Sequence, residues 1–221
     1  MTVKIAIDGP AGAGKSTVAK KLAKLLNYTY IDTGAMYRAI TYKTIQQGIN
    51  LTEENKIADI VQSADIILEG EKIFLDGKDI SEEIRKPEVS EKVSLVSKIP
   101  KVREILVQKQ RKIAEGKNVV MDGRDIGTVV LPDAQFKFYL TASLEERAKR
   151  RYSEFKTKNV NVSYYEVLKE IENRDTIDSQ RDTSPLKIAE DSIVIDTTYL
   201  SEEEVLEKLY NIIKEGLKGE I

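Results

Sequence analysis

The chain contains neither histidine nor cysteine. That excludes disulfides, thiolate nucleophiles, zinc sites built from the usual ligands and any histidine general base. Chemistry here must run on carboxylates, lysine, arginine, hydroxyls, backbone amides or a bound cation. Also absent are an apolar run of membrane-spanning length and, at the N-terminus, the pattern of a secretory signal. Neither sign of charge dominates: 35 basic and 37 acidic residues leave a formal net charge of −2, so no global basic field argues for nucleic acid. The expectation is a cytoplasmic protein that binds neither membrane nor nucleic acid. What is present is 221 residues, 41% of them hydrophobic, enough for one ordinary core with a small appended subdomain.

Strand and helix signals alternate along the chain. Val3 to Ile7 is a short apolar strand, and residues 15–26 carry Val18, Leu22, Leu25 and Leu26 at helical spacing. The aromatic and β-branched "YTYID" (28–32) predicts a second strand, followed by a helix over about 35–47 that Gly48 ends. After a helical stretch at 52–63 comes "DIILEGEKIFLDGKDI" (65–80). Its turn signals, Glu69-Gly70-Glu71-Lys72 and Asp76-Gly77, predict antiparallel hairpins and hence an inserted subdomain. Helices over 87–98 and 101–115 are separated by Pro100. The remaining strands are Val119–Met121, Phe136–Leu140 and residues 192–196. A charge-rich helix is expected over 143–151, then a polar, unpatterned stretch over 152–161. Capping boxes at Ser163-x-x-Glu166 and Ser201-x-x-Glu204 open two further helices. Strands alternating with helices predict an α/β fold, a parallel sheet covered on both faces.

The strongest motif is "IAIDGPAGAGKST". Gly9, Pro10, Ala11, Gly12, Ala13, Gly14, Lys15, Ser16 and Thr17 contain the pattern G-x-x-x-x-G-K-[ST] between a predicted strand and a predicted helix. The glycines let backbone amides turn inward around an anion, and the helix adds its positive end. Lys15 can reach the β- and γ-phosphates, and the Ser16 hydroxyl can ligate Mg²⁺. This is a nucleoside-triphosphate site. Motors, switches, ABC-type ATPases and small kinases share it, but no N-K-x-D element is present to read guanine.

Arginines supply the second signal. Arg38, Arg103, Arg124, Arg174 and Arg181 fall where turns meet elements, and Arg147, Arg150 and Arg151 crowd one helix. Any one of these could be a solvated surface charge, and "RAKRR" reads equally as an ordinary helix face. Arg124 is different, lying between Gly123 and Gly127 at a strand end in "MDGRDIGT", flanked by Asp122 and Asp125. Bringing two polyanions together requires their repulsion to be neutralised, which arginine does well through its bidentate fork. A phosphate-monoester acceptor has a second pKa of about 6, so it arrives mostly deprotonated and needs no general base. The absence of histidine fits that chemistry.

"IDGPAGAGKST", "IDTGAMYRA", "PKVRE", "MDGRDIGT" and "RDTIDSQR" together resemble the bacterial cytidylate kinases, through essentially the whole chain and in order. The P-loop is generic, whereas the Asp-Thr-Gly-Ala-x-Tyr-Arg and Asp-Gly-Arg-Asp stretches are far more specific. The resemblance implies a P-loop three-layer sandwich over 1–33, 115–147 and 163–221. It also implies a monophosphate-binding region over 34–114 with an insert at about 56–94, and a mobile lid over 148–162. It implies that ATP phosphorylates CMP and dCMP with Mg²⁺, in a monomer. Tyr37, Arg38, Arg124 and Arg181 would bind the acceptor phosphate. Thr33 (serine in the family), Arg103 and Asp125 would face the cytosine, while Ser94, Arg174 and Asp178 would hold the ribose. Lid arginines from Arg147, Arg150 and Arg151 would swing onto the ATP phosphates. The lid sequence "SEFKTKNVN" lacks the glycine the family often has there.

Cytosine chemistry agrees with that implication. A carboxylate at Asp125 can accept from the amino group while Arg103 donates to N3 and O2; uracil would present an acceptor to the carboxylate. Asp122 has two competing roles, beside Mg²⁺ on the phosphate side or as a partner holding Arg124. Two other readings compete with the whole: another small P-loop kinase, for AMP, UMP or shikimate, and a non-catalytic ATP-dependent switch.

Overall fold

A computed structural model describes residues 2–157 and 159–219. Lys158, in the middle of the expected lid, and the terminal residues 1, 220 and 221 lie outside the described residues. Five strands form one parallel sheet in the order β2-β6-β1-β7-β8. They are β1 (Lys4–Asp8), β2 (Thr29–Asp32), β6 (Val119–Gly123), β7 (Phe136–Thr141) and β8 (Ile193–Asp196). The register pairs Ile7 with Asp122 and Asp8 with Gly123 across β1 and β6, and Asp8 with Tyr139 across β1 and β7. Polar residues at the C-terminal ends of three central strands are thereby brought side by side. In open α/β sheets this edge is where ligands bind.

The period of two along β1 sorts its side chains. Ile5 and Ile7 join Val18 and Leu22 of helix α1 (Lys15–Leu26) and Val205, Leu209 and Ile213 of α8 (Glu202–Gly219) in one cluster. Ala6 faces the other way, onto a cluster with Ile31, Met121 and Val107 of α5 (Pro100–Ala114). Helices therefore cover both faces, as the uninterrupted apolar character of β1 and β6 requires.

A third cluster gathers residues from 35 to 106. It joins α2 (Thr33–Gln46), α3 (Glu54–Ser63), α4 (Pro87–Ser97) and α5 to a small antiparallel sheet of β3 (Ile66–Glu69), β4 (Lys72–Leu75) and β5 (Lys78–Asp79). The second hairpin turns at Asp76-Gly77 with positive φ at both residues, 52° and 80°, the backbone an Asp-Gly hairpin adopts. Glu71, in the first hairpin turn, forms an ion pair with Lys20 of α1, so the hairpin tip rests on the helix that follows the P-loop.

One segment departs from the sequence reading. The helix expected to stop at 151 runs on as α6 (Leu144–Thr157), so most of the supposed unpatterned stretch is helical. Phe155 and Ala148 pack against Val167 and Ile171 of α7 (Tyr164–Gln180), with Tyr152 at the margin. A single turn of polar sequence hid this apolar stripe. Ser163 caps α7 as expected: its Oγ accepts from Glu166 N at 3.2 Å while the Glu166 carboxylate accepts from Ser163 N at 2.7 Å. Among the described residues no helix is long and apolar enough to cross a membrane.

Candidate active site

The P-loop leaves β1 at Gly9, whose φ of 148° and lack of a side chain are both needed: a Cβ there would lie 1.9 Å from the Leu140 carbonyl oxygen. Gly14, at φ 82°, turns the chain into α1. Lys15 is buried and its ammonium donates to the Pro10 carbonyl at 2.6 Å. Burial, aided by the charge of Arg124, holds its pKa well below the ordinary lysine value. Pro10, Ala11 and Ala13 offer carbonyl oxygens to neighbours, including Arg147 onto Ala11 O at 3.1 Å.

Asp122, next to last in β6, lies beside this loop. Its Oδ2 accepts from Ser16 Oγ at 2.7 Å and its Oδ1 from Tyr30 Oη at 2.8 Å. The Thr33 hydroxyl donates to the Asp122 backbone carbonyl at 2.7 Å. Burial, with the nearby Asp32 charge, raises Asp122 to about 6. Arg124 is not held by Asp122: its Nε donates to Asp178 at 3.0 Å.

A cavity of about 500 Å³ opens over these groups. Ala11 to Thr17, Arg38, Asp122, Arg124, Arg151 and Arg174 line it, together with Arg85 and Glu170. Arg174 is pulled down to about 9 by burial and by Arg124 and Arg38, and Arg38 is likewise lowered by burial. Positive charge is concentrated here beyond what the local carboxylates neutralise, and a polyanion would relieve it.

Beside the cavity, the other candidate residues pair with one another. Arg103, 1% exposed, donates to Asp125 Oδ2 at 2.5 Å and to the Ser97 carbonyl at 3.0 Å, and lies 5.1 Å from the Tyr37 ring centroid. Arg181 sits 3.9 Å from Asp125 and 3.6 Å from Asp178. The result is a buried chain of alternating charge from Arg103 through Asp125, Arg181 and Asp178 to Arg124. Tyr37 Oη, Ser94 Oγ, Arg103 Nε, Arg174 Nε and Arg181 Nη2 are buried with no hydrogen-bond partner among the described residues. Buried polar groups without partners are rare, and these five belong to residues that the sequence singles out.

The three α6 arginines differ in their partners. Arg147 ties α6 to Ala11 O and to Asp175. Arg150 is engaged by Thr197 and Glu146, and its Nη1 lies 3.8 Å from where a Cβ on Gly14 would be. Arg151 stacks over Phe155 and reaches Ser90 Oγ of α4 at 3.2 Å, spanning the cleft. Sequence reasoning missed Tyr30, Asp175 and Ser90. Tyr30 looked like a strand aromatic, and the partner of a hydroxyl 92 residues away leaves no local trace.

Residues 5–215 match the family model described as cytidylate kinase. A cytidylate kinase of Caldanaerobacter subterraneus subsp. tengcongensis is 70% identical over 221 residues, covering 100% of this chain and 99% of that protein. That of Bacillus subtilis is 51% identical over 217 residues, 96% of this chain and 97% of the relative. Among solved structures, a shikimate kinase from Bacteroides thetaiotaomicron aligns with a TM-score of 0.50 at 14% identity, over 96% of this chain and 98% of its own. At that identity the likeness is one of fold alone.

Proposed function

The chain belongs to the cytidylate kinase family, and on that premise we propose that it transfers the γ-phosphoryl group of ATP in line onto the phosphate of CMP and dCMP. The carrying observation is the buried Arg103–Asp125–Arg181–Asp178–Arg124 chain, with its five unpartnered polar atoms, beside a P-loop. A switch that only hydrolyses ATP has no use for a second arginine-rich site.

In this reading the loop amides and the N-terminus of α1 hold the donor phosphates. Lys15 exchanges the Pro10 carbonyl for a phosphate oxygen. Tyr37, Arg38, Arg124 and Arg181 clamp the acceptor phosphate, Ser94, Arg174 and Asp178 take the ribose, and Thr33, Arg103 and Asp125 take the base. The α6 arginines Arg147, Arg150 and Arg151 complete the charge shell around the transferring group, and residues 148–162 act as the lid. Catalysis is positioning and electrostatics, because the acceptor oxygen is already ionised.

Ser16 and Asp122 fit Mg²⁺. Both offer oxygen donors at one point, and no cluster of three or more acidic, His or Cys side chains able to hold a metal exists among the described residues. That suits an ion held by one or two protein oxygens with nucleotide phosphates and water completing its shell. Bound there, Mg²⁺ would neutralise charge between the β- and γ-phosphates.

A coupled ADP-release assay across nucleoside monophosphates tests this. CMP and dCMP should be good acceptors, and UMP should be worse in kcat/KM by about tenfold or more, since each mismatched buried polar group costs about 1–3 kcal/mol. Equal kcat/KM for CMP and UMP would remove the base-reading role. ADP release that ignores CMP would point to the switch.

A further inference from the structure

The last residue of β1 is a carboxylate that no role above uses. Asp8 is 3% exposed and reaches across to the turn that follows Asp125. Its Oδ1 accepts from Ile126 N at 2.8 Å and its Oδ2 from Gly127 N at 2.7 Å. These amides belong to the two residues directly after Asp125, at the start of a single π-helical turn, Ile126–Val130. The Asp125 carbonyl closes the same turn by accepting from Val129 N at 2.9 Å and Val130 N at 3.1 Å.

Asp8 itself is fixed from both sides. Its backbone pairs with Gly123 of β6 and Tyr139 of β7 at the centre of the sheet. Its neighbour Gly9 is pressed onto the Leu140 carbonyl. The carboxylate is thus a rigid two-oxygen post rooted next to the P-loop. Gly127 lies against it, since a Cβ on that glycine would be 3.4 Å from Asp8 Oδ2.

We propose that Asp8 is a positioning residue for acceptor recognition: by holding the Ile126 and Gly127 amides it sets the direction of Asp125, and so ties the root of the donor loop to the group that reads the base. The inference rests on the base-reading role assigned to Asp125. Two parallel N–H donors need two acceptors. Asparagine keeps the shape but offers one oxygen and one NH₂, so one amide would meet another donor. The turn would then rotate, carrying Asp125 away from the geometry in which it meets Arg103.

The test compares wild type with Asp8→Asn for CMP and UMP at about pH 8.5, above the raised pKa of about 7 so that the carboxyl is ionised, and at saturating Mg·ATP, with calorimetric CMP and ADP binding and a melting curve alongside. A hydrogen bond to an ionised group of this kind corresponds to about tenfold in a binding constant. CMP KM and Kd should therefore rise about tenfold and the CMP-over-UMP preference should shrink by a similar factor, while ADP binding changes less than about twofold. Gly127→Ala, whose methyl would meet Lys137 Cδ at 3.2 Å and touch Asp8 Oδ2 at 3.4 Å, crowds the amide that Asp8 holds; it should move the preference in the same direction and serves if Asp8→Asn does not fold. Undiminished preference in a folded variant, or equal losses for CMP and ADP, would overturn the proposal and leave Asp8 a residue of the fold alone. A wild-type enzyme without CMP preference would overturn both this inference and the functional reading beneath it.

Discussion

Asp122 accepts from two hydroxyls, Ser16 and Tyr30, and both bonds lie on the donor side of the cleft. The competing role, holding Arg124, falls to Asp178 instead. Asp122→Asn should therefore lower kcat by about 10²-fold or more, in the range seen when a preorganised electrostatic group is removed, with CMP KM changed far less. A larger effect on CMP KM than on kcat would assign Asp122 to the acceptor pocket. Tyr30→Phe removes one of the two hydrogen bonds to the same carboxylate and should lower kcat about three- to tenfold, with a higher Mg²⁺ requirement in a titration of Mg·ATP binding. At this scale the sequence was most legible where motifs name residues that the fold brings together, since Lys15, Ser16, Arg38 and Arg124 all line the one cavity. Tyr30 and Asp8 were not legible, because each acts through a partner about a hundred residues away. A tyrosine inside a strand and an aspartate before a P-loop carry no spacing signal that announces those partners.

Among the elements, α6 is where local pattern and tertiary packing disagree. Its second half, "YSEFKT", has only Tyr152 and Phe155 to offer a core, too few for a periodic signal. Their partners lie on α7, and the pairing exists only once both helices are present. Strands β1 and β6 were easier, since each carries an apolar run buried on both faces, and the Asp-Gly hairpin was marked by its own turn chemistry. The cluster of Ala148, Phe155, Val167 and Ile171 contains four buried residues and is separate from the clusters on the sheet. A small isolated cluster can open without the rest of the molecule. Phe155→Ala should cost about 3–5 kcal/mol of that local packing. The readout is limited proteolysis: cleavage near residues 150–163 should accelerate well beyond any change in global melting, and ATP KM should rise because Arg151 loses the ring it stacks on. Cleavage that tracks global unfolding would mean that α6 and α7 are part of the main cooperative unit.

The molecule as a whole is nearly neutral, yet it buries ionisable groups of both signs around one cleft, and this sets how its stability responds to pH. Burial raises Asp8 from 3.8 to about 7, with the Asp125 charge adding to the effect and two amide bonds and Lys15 opposing it. It raises Asp122 to about 6. Below about pH 4 these carboxyls are protonated in folded and unfolded chains alike. Between about 4 and 7 the folded chain keeps protons that the unfolded chain has released, so their contribution to stability declines as pH rises, by about 1.4 kcal/mol per unit for each group while it remains protonated. For Asp8 the decline is complete a little above pH 7. Lys15 works in the opposite sense, since its lowered pKa means that the folded chain binds fewer protons than the unfolded one at high pH. A single melting curve against pH therefore mixes these opposing slopes, and comparison with Asp8→Asn separates out the largest carboxylate share. Raising the pH from 4.5 to 7.5 should lower the Tm of wild type relative to the variant by about 5–10 °C, at about 2–4 °C per kcal/mol for a chain of this size. The variant keeps the Asp122 and Lys15 contributions, and its constant loss of one amide bond shifts the curve without changing its slope. Tyr139, whose own pKa is raised by burial and which lies beside Asp8 in the sheet, stays neutral throughout this window and adds no slope. Parallel curves for the two proteins would mean that Asp8 is ionised in the fold across the whole range. The two amides of Ile126 and Gly127 would then outweigh the cost of burying its charge.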